Sequence, residues 1–125
     1  MDIQPSDSGL DRRNHRRYQV KNETFAFSGE YTGILVDISE GGLAVQCAIF
    51  ENDPAFSKRI DIFDAQSRFY LSDIPFSVVG EMQPVPVSVF SRLMVKRFSM
   101  QFGPLTNEQR EKLERFIAEY TIADS

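Results

Sequence analysis

The sequence of 125 residues has one cysteine, Cys47, and one histidine, His15. One cysteine excludes an internal disulfide, and the two residues together cannot supply the four ligands of a usual structural zinc site. No apolar run approaches the roughly 18 to 20 residues of a membrane-spanning helix, and residues 1–10 lack the apolar segment of a secretion signal. We therefore expect a cytoplasmic protein, and no metal or other cofactor is expected.

Enzyme motifs are also absent from the sequence. No motif resembles a catalytic nucleophile paired with its general base, and the carboxylates show no spacing typical of acid and base catalysis. Cys47 falls on the inward side of a predicted strand, where a small core residue is expected. A binding module is therefore predicted, and not an enzyme.

Length and composition indicate a single domain. The chain is 42% apolar with 11 Phe, which is enough to form a core, and 26% of its residues are charged. Residues 1–10 are polar and contain Pro, Gly and Ser, so we expect them to form a disordered tail. The domain is expected to span residues 11–121.

Basic residues are outnumbered, with 14 Lys and Arg against 18 Asp and Glu, yet four arginines lie together in residues 11–17. They are Arg12, Arg13, Arg16 and Arg17, and without them the formal charge would fall from −4 to −8. A guanidinium group can bind phosphate through two hydrogen bonds and can stack on a flat ring. This arginine arm, residues 11–17, follows the polar tail and is expected to be flexible. It predicts a compact anionic ligand with aromatic rings, such as a nucleotide, although a solvated end would have a similar composition.

A second stretch, Asp37-Ile38-Ser39-Glu40-Gly41-Gly42, connects two predicted strands. The carboxylate of Asp37 accepts hydrogen bonds and the hydroxyl of Ser39 can donate one. The two glycines permit positive φ angles and close approach of a ligand to the backbone. An ordinary hairpin turn would have the same composition, so this stretch alone does not identify a site.

Alternation with a period of two predicts strands through most of the chain. Residues expected to share a face are Tyr18 with Val20, Phe25 with Phe27, Ile34 with Val36 and Ile38, and Leu43 with Val45 and Cys47. Further strands are predicted at Arg59–Phe63, Arg68–Ile74, Phe76–Glu81, Val85–Phe90 and Phe98–Phe102.

The C-terminal segment, residues 106–121, has the pattern of a helix. Thr106 and Gln109 have the spacing of a capping box. Apolar residues follow at Leu113, Phe116, Ile117 and Tyr120, so one face is apolar. This face is expected to pack on the strands, and a partner protein could use part of it.

Arg13 and Arg17 stand about twenty residues before Asp37, Ser39 and Gly42. This pairing of Arg-x-x-x-Arg with Asp-x-Ser-x-x-Gly resembles the signature of the PilZ domain, the bacterial receptor module for cyclic di-GMP.

The resemblance spans roughly residues 11–120 and implies the fold. It implies a mostly β protein, with a small antiparallel β-barrel of about six strands, a C-terminal helix and a flexible N-terminal arm.

The resemblance also implies the roles of the site residues. Arg13 and Arg17 would bind phosphate and guanine, Asp37 would accept from guanine N–H groups, Ser39 would contact a guanine or phosphate, and Gly42 would leave space, with Gly41 beside it. Arg12 would add a third guanidinium, as in family members that bind two stacked ligand molecules. The ligand would be cyclic di-GMP, and the arm would close over it against the 37–42 loop.

A receptor of this kind is expected to signal to a downstream protein, for example one in the motility, pilus or exopolysaccharide machinery. The alternative from another class is a small β-barrel that binds nucleic acid through the arginine arm. The charge of −8 on the rest of the chain disfavours this alternative, since it would repel an extended polyanion.

Overall fold

In a computed structural model of the chain, the described residues are 16–29, 31–49, 56–82, 85–86 and 93–123. The predicted tail and most of the arginine arm, including Arg12 and Arg13, lie outside these residues. The elements, in chain order, are β1 (Tyr18–Val20), β2 (Thr24–Ser28), β3 (Tyr31–Ile38), β4 (Gly42–Ile49), β5 (Arg59–Asp64), β6 (Phe69–Glu81), β7 (Val85–Pro86), β8 (Met94–Phe102), the helix α1 (Asn107–Tyr120) and β9 (Thr121–Ala123).

Six strands close into an antiparallel barrel. Their order is β2, β5, β6, β8, β4 and β3, and β2 pairs with β3 to complete the circle. Outside this circle, β1 lies between β3 and β9, and β7 pairs with β8. The prediction of a mostly β protein with a barrel of about six strands and a C-terminal helix is confirmed.

The barrel interior is filled by apolar side chains from alternate positions. Leu43, Val45 and Cys47 all point inward from β4 and are buried, as predicted. Burial raises the pKa of the Cys47 thiol, which disfavours the reactive thiolate. Cys47 is therefore a core residue.

The inward side of β2 is lined by small residues, and its phenylalanines face outward. Phe25 and Phe27 share a face, as predicted, but Ala26 is the buried apolar residue and Phe27 remains 38% exposed. A barrel of only six strands has a narrow interior, so a large ring at every inward position would not fit. Hydrophobicity alone does not show which face of this strand is the inner one.

The prediction that Ile34, Val36 and Ile38 share one face is wrong. The pairing of β3 with β4 shifts register between Leu35 and Asp37, which is a β-bulge. Leu35 and Ile38 are both buried as a result, whereas Ile34 is 45% exposed. Without the extra residue, strict alternation from Leu35 would direct Asp37 inward. The bulge instead places Asp37 on the outer side of the barrel.

Strand β6 is one long element, where the sequence predicted two. It pairs with β5 up to Pro75 and with β8 from Phe76 onward. Proline has no N–H to donate, so the point where one partner strand replaces the other suits it. The Pro75 carbonyl accepts a hydrogen bond from Gly103 N–H at 2.7 Å. Of the strand predicted at Val85–Phe90, only β7 is described.

Helix α1 packs against the barrel through the face that the sequence predicted. The capping box is present, with Gln109 N–H donating to Thr106 Oγ1 at 3.0 Å and Thr106 N–H donating to Gln109 Oε1 at 2.9 Å. Leu113 and Phe116 are buried, and the Phe116 ring lies 5.2 Å from that of Phe69 in β6. In the described residues, no helix is long and apolar enough to cross a membrane.

Candidate functional site

The loop between β3 and β4 is organised by Ser39. Its hydroxyl accepts hydrogen bonds from the N–H groups of Gly41 and Gly42, each at 3.1 Å, and donates to the Gly42 carbonyl at 3.3 Å. The Ser39 N–H also donates to this carbonyl, at 2.8 Å. One donor and two acceptor sites of the hydroxyl are therefore used within the loop.

Gly42 is required by the contact between β4 and β8. A Cβ atom at this position would lie 2.1 Å from the carbonyl oxygen of Met100, a distance that no side chain can accept. Neither loop glycine uses the positive φ angle that glycine permits, because among the described glycines only Gly29 has one, at 63°. The Gly41 carbonyl accepts from Phe102 N–H at 2.9 Å, so the loop is also fixed to the end of β8.

Arg17 and Asp37 meet across twenty residues of sequence. Strand β1 pairs with the end of β3 so that Gln19 lies opposite Asp37, which brings the preceding Arg17 onto the same outer surface. One terminal guanidinium nitrogen, Nη1, lies 2.8 Å from Asp37 Oδ1. The side chains of Arg17 and Asp37 are 50% and 22% exposed, so both remain accessible from solvent.

Small residues continue from Asp37 across the outer surface of the barrel. Asp37 lies opposite Ala44, Ala44 opposite Ser99, and Ser99 opposite Gly80, on four neighbouring strands. Ala44 faces outward between its buried neighbours and is only 2% exposed, so neighbouring groups cover it. The three positions that follow Asp37 in this row therefore carry no large side chain.

A separate open cleft of about 380 Å³ lies on the helix side of the loop. It is lined by Tyr18 and Ile117 together with two acidic residues, Glu40 and Glu114. Two carboxylates would repel an anionic ligand, so the cleft is a poorer nucleotide site than the surface beside Arg17 and Asp37.

A family model described as "PilZ domain" matches residues 11–119, which is most of the chain. The chain belongs to the PilZ domain family. The resemblance to this family, inferred from the sequence, is confirmed.

One solved structure similar to this PilZ domain is the PilZ domain, with cyclic di-GMP, of YcgR from Escherichia coli. The TM-score is 0.63 at 14% sequence identity, and the match covers 87% of this chain and 91% of the YcgR domain. At this identity the similarity shows a shared fold. A search of curated proteins gives no match.

The described part of the PilZ signature is brought together, since Arg17, Asp37, Ser39 and both loop glycines lie within one corner of the barrel. The outward residues of β8 were missed by sequence reasoning. Only the register shows that Ser99 on β8 lies beside β4, two strands away from Asp37.

Proposed function

We propose that the protein is a cyclic di-GMP receptor. In this proposal, the arginine arm closes over the dinucleotide against the 37–42 loop, and a downstream protein detects the change. The observation that carries the proposal is the contact of Arg17 with Asp37, because it joins the two halves of the signature in a chain of the PilZ family. The YcgR structure, in which the same fold is found with cyclic di-GMP, supports the choice of ligand.

The chemistry of the ligand matches these groups. Guanine presents the acceptors O6 and N7, which the planar fork of an arginine can bind together. It also presents N–H donors, for which the Asp37 carboxylate is an acceptor. Arg13 and Arg17 would bind phosphate and guanine, and Arg12 would add a guanidinium for a second, stacked ligand molecule.

Ligand binding would separate Arg17 from Asp37, and each side chain would bind a group of the ligand instead. Before the ligand arrives, Arg17 and Asp37 satisfy each other's charge at 2.8 Å. An exposed ion pair is worth only ~0 to 1 kcal/mol, so separating it costs little compared with the ~8 kcal/mol of micromolar binding. The pair would therefore keep the two groups beside the site without opposing binding strongly.

The 37–42 loop would act as the preformed side of the site. The Ser39 hydroxyl already has its hydrogen bonds inside the loop, and Gly42 fits closely against Met100. Contact of the ligand with Ser39, Gly41 or Gly42 stays a prediction. In our proposal the loop backbone supports the ligand, and no catalytic step is assigned to any residue.

Isothermal titration calorimetry with cyclic di-GMP tests the proposal. We expect a dissociation constant in the micromolar range or tighter, and weak binding of GTP and cyclic GMP, which cannot fill both guanine positions. A flat trace at tens of micromolar would contradict the proposal. Binding of short DNA with a steep salt dependence would instead favour the nucleic-acid alternative.

A further inference from the structure

Arg97 lies on the outer surface of β8, close to the proposed site. In this strand Phe98 and Met100 are buried, so Arg97 and Ser99 point outward. Among the described residues, the Arg97 side chain makes no ion pair, hydrogen bond or ring contact. The acid closest to it in register, Glu81, is bound by Lys96 at 2.8 Å.

The route from Asp37 to Arg97 crosses β4 between Ala44 and Gln46, and meets no aromatic or branched apolar side chain on that strand. Ala44 and Ser99 follow Asp37 on the next two strands, and Arg97 stands two residues from Ser99 on the same face. With strands about 4.8 Å apart and residues about 3.3 Å apart, the two Cα atoms are roughly 12 Å from each other. A ligand lying over β4 and β8 could therefore reach Asp37 with one end and Arg97 with the other.

We propose that Arg97 binds the end of the ligand that lies farthest from Asp37. This inference rests on the proposed function, because it extends the same site across β4 and β8. The group bound would be a pair of hydrogen-bond acceptors, either two phosphate oxygens or the O6 and N7 atoms of a guanine.

Arg97 suits this role for a reason that distinguishes it from the arginines of the arm. It belongs to a strand that is paired on both sides, by β4 and by β6 or β7, so its backbone is fixed before binding. Its guanidinium does not have to leave another described partner. A preorganised cation of this kind adds affinity without an ordering cost for the backbone.

The test is calorimetric titration of the full chain with cyclic di-GMP. Arg97→Ala should weaken binding at least tenfold. Arg110→Ala is the matched control, since it removes the same charge from the exposed side of α1 and should stay within about twofold of the wild type. If the two variants bind equally well, Arg97 does not contact the ligand.

Arg97→Lys distinguishes whether Arg97 binds phosphate or the guanine edge. A lysine keeps the positive charge but not the planar fork. Binding within about threefold of the wild type would indicate phosphate, whereas a loss as large as that of Arg97→Ala would indicate the guanine edge.

A bulky residue on the route provides an independent test. Ser99→Phe would place a ring between Asp37 and Arg97 on an outward position that tolerates aromatic residues in a strand. It should weaken binding at least tenfold, while the control Thr32→Phe, on an exposed outward position of β3, should not. Unchanged binding by Ser99→Phe would show that the ligand does not cross β4 and β8, and would overturn the inference.

Different results would contradict the inference about Arg97 and the proposed function. If the wild type does not bind cyclic di-GMP, both are wrong. If the wild type binds and Arg17→Ala weakens binding, but Arg97→Ala and Ser99→Phe do not, only the inference about Arg97 is wrong.

Discussion

The two halves of the barrel have a similar interior and very different outer surfaces. On the first half, formed by β2, β5 and the start of β6, four of the outward residues are aromatic: Phe25, Phe27, Phe63 and Tyr70. On the second half, formed by β4, β8 and the end of β6, the outward residues near Asp37 are small or polar: Ala44, Gln46, Ser99 and Gly80. The inner side therefore determines the fold, and the outer side distinguishes an aromatic surface from a small-residue surface, over which we propose that the ligand lies.

The aromatic surface is built from direct cross-strand neighbours. Phe25 lies opposite Ile34 on one side and Phe63 on the other, and Phe63 lies opposite Tyr70. Such pairs each stabilise a sheet by roughly 0.2 to 1 kcal/mol. The small-residue surface has no comparable pairs, so its residues are expected to matter for binding more than for stability, with one exception.

The exception is Gly42, and it gives the largest expected effect. Gly42→Ala would place a Cβ atom 2.1 Å from the Met100 carbonyl oxygen, and should reduce the free energy of unfolding by about 3 kcal/mol. The control is Gly80→Ala on the same surface, where the new Cβ would meet Ser99 at an ordinary 3.5 Å. Denaturant unfolding measures both. A Gly42→Ala protein as stable as Gly80→Ala would show that β4 does not approach β8 this closely.

The second effect concerns Arg17. Arg17→Ala should weaken cyclic di-GMP binding at least tenfold, ~1.4 kcal/mol, and lower the free energy of unfolding by less than ~1 kcal/mol, because the ion pair with Asp37 is exposed. Arg16 is the neighbouring exposed arginine, and Arg16→Ala should keep affinity within about threefold. Calorimetry measures the effect on ligand binding, and thermal melting measures the effect on stability. A loss of several degrees in melting temperature for Arg17→Ala would mean that Arg17 is structural.

Local patterns in the sequence predicted much of this molecule. The capping box at Thr106 and the inward alternation of Leu43, Val45 and Cys47 depend on neighbours within a few residues, and both are confirmed. The side of the barrel to which Asp37 points could not be predicted from local patterns, because the bulge beside it is visible only in the pairing of β3 with β4.

Local sequence patterns also revealed only part of the candidate site. The signature residues Arg17 and Asp37 were found by resemblance, and their contact agrees with it. Arg97 and Ser99 carry no motif. Their position two strands away from Asp37 follows from the order of strands in a closed barrel, which places residues about sixty positions apart on one surface.

A smaller effect is expected for the aromatic surface. Phe25→Ala removes two cross-strand contacts of a partly buried ring, and should reduce the free energy of unfolding by about 1 kcal/mol. Cyclic di-GMP affinity should remain within about threefold, because Phe25 is on β2, on the other side of β3 from β4 and β8, over which the ligand is proposed to lie. Chemical denaturation and calorimetry on the same sample measure the two quantities. A tenfold loss of affinity without loss of stability would assign ligand binding to the aromatic surface, and the contrast between the two surfaces would be wrong.

The smallest effect is a titration on the aromatic surface. The Tyr70 hydroxyl donates to Asp61 Oδ2 at 2.6 Å, and this hydrogen bond to a carboxylate raises the pKa of Tyr70 above its usual value. Its contribution to stability should be complete below the ordinary tyrosine pKa of about 10 and should disappear as the pH rises through the raised value in the folded state. The ultraviolet difference between wild type and Tyr70→Phe follows this one residue, and Asp61→Asn should bring the midpoint back down. Cyclic di-GMP binding should not change in either variant. A Tyr70 midpoint that is the same with and without the Asp61 carboxylate would show that the hydrogen bond does not persist in solution.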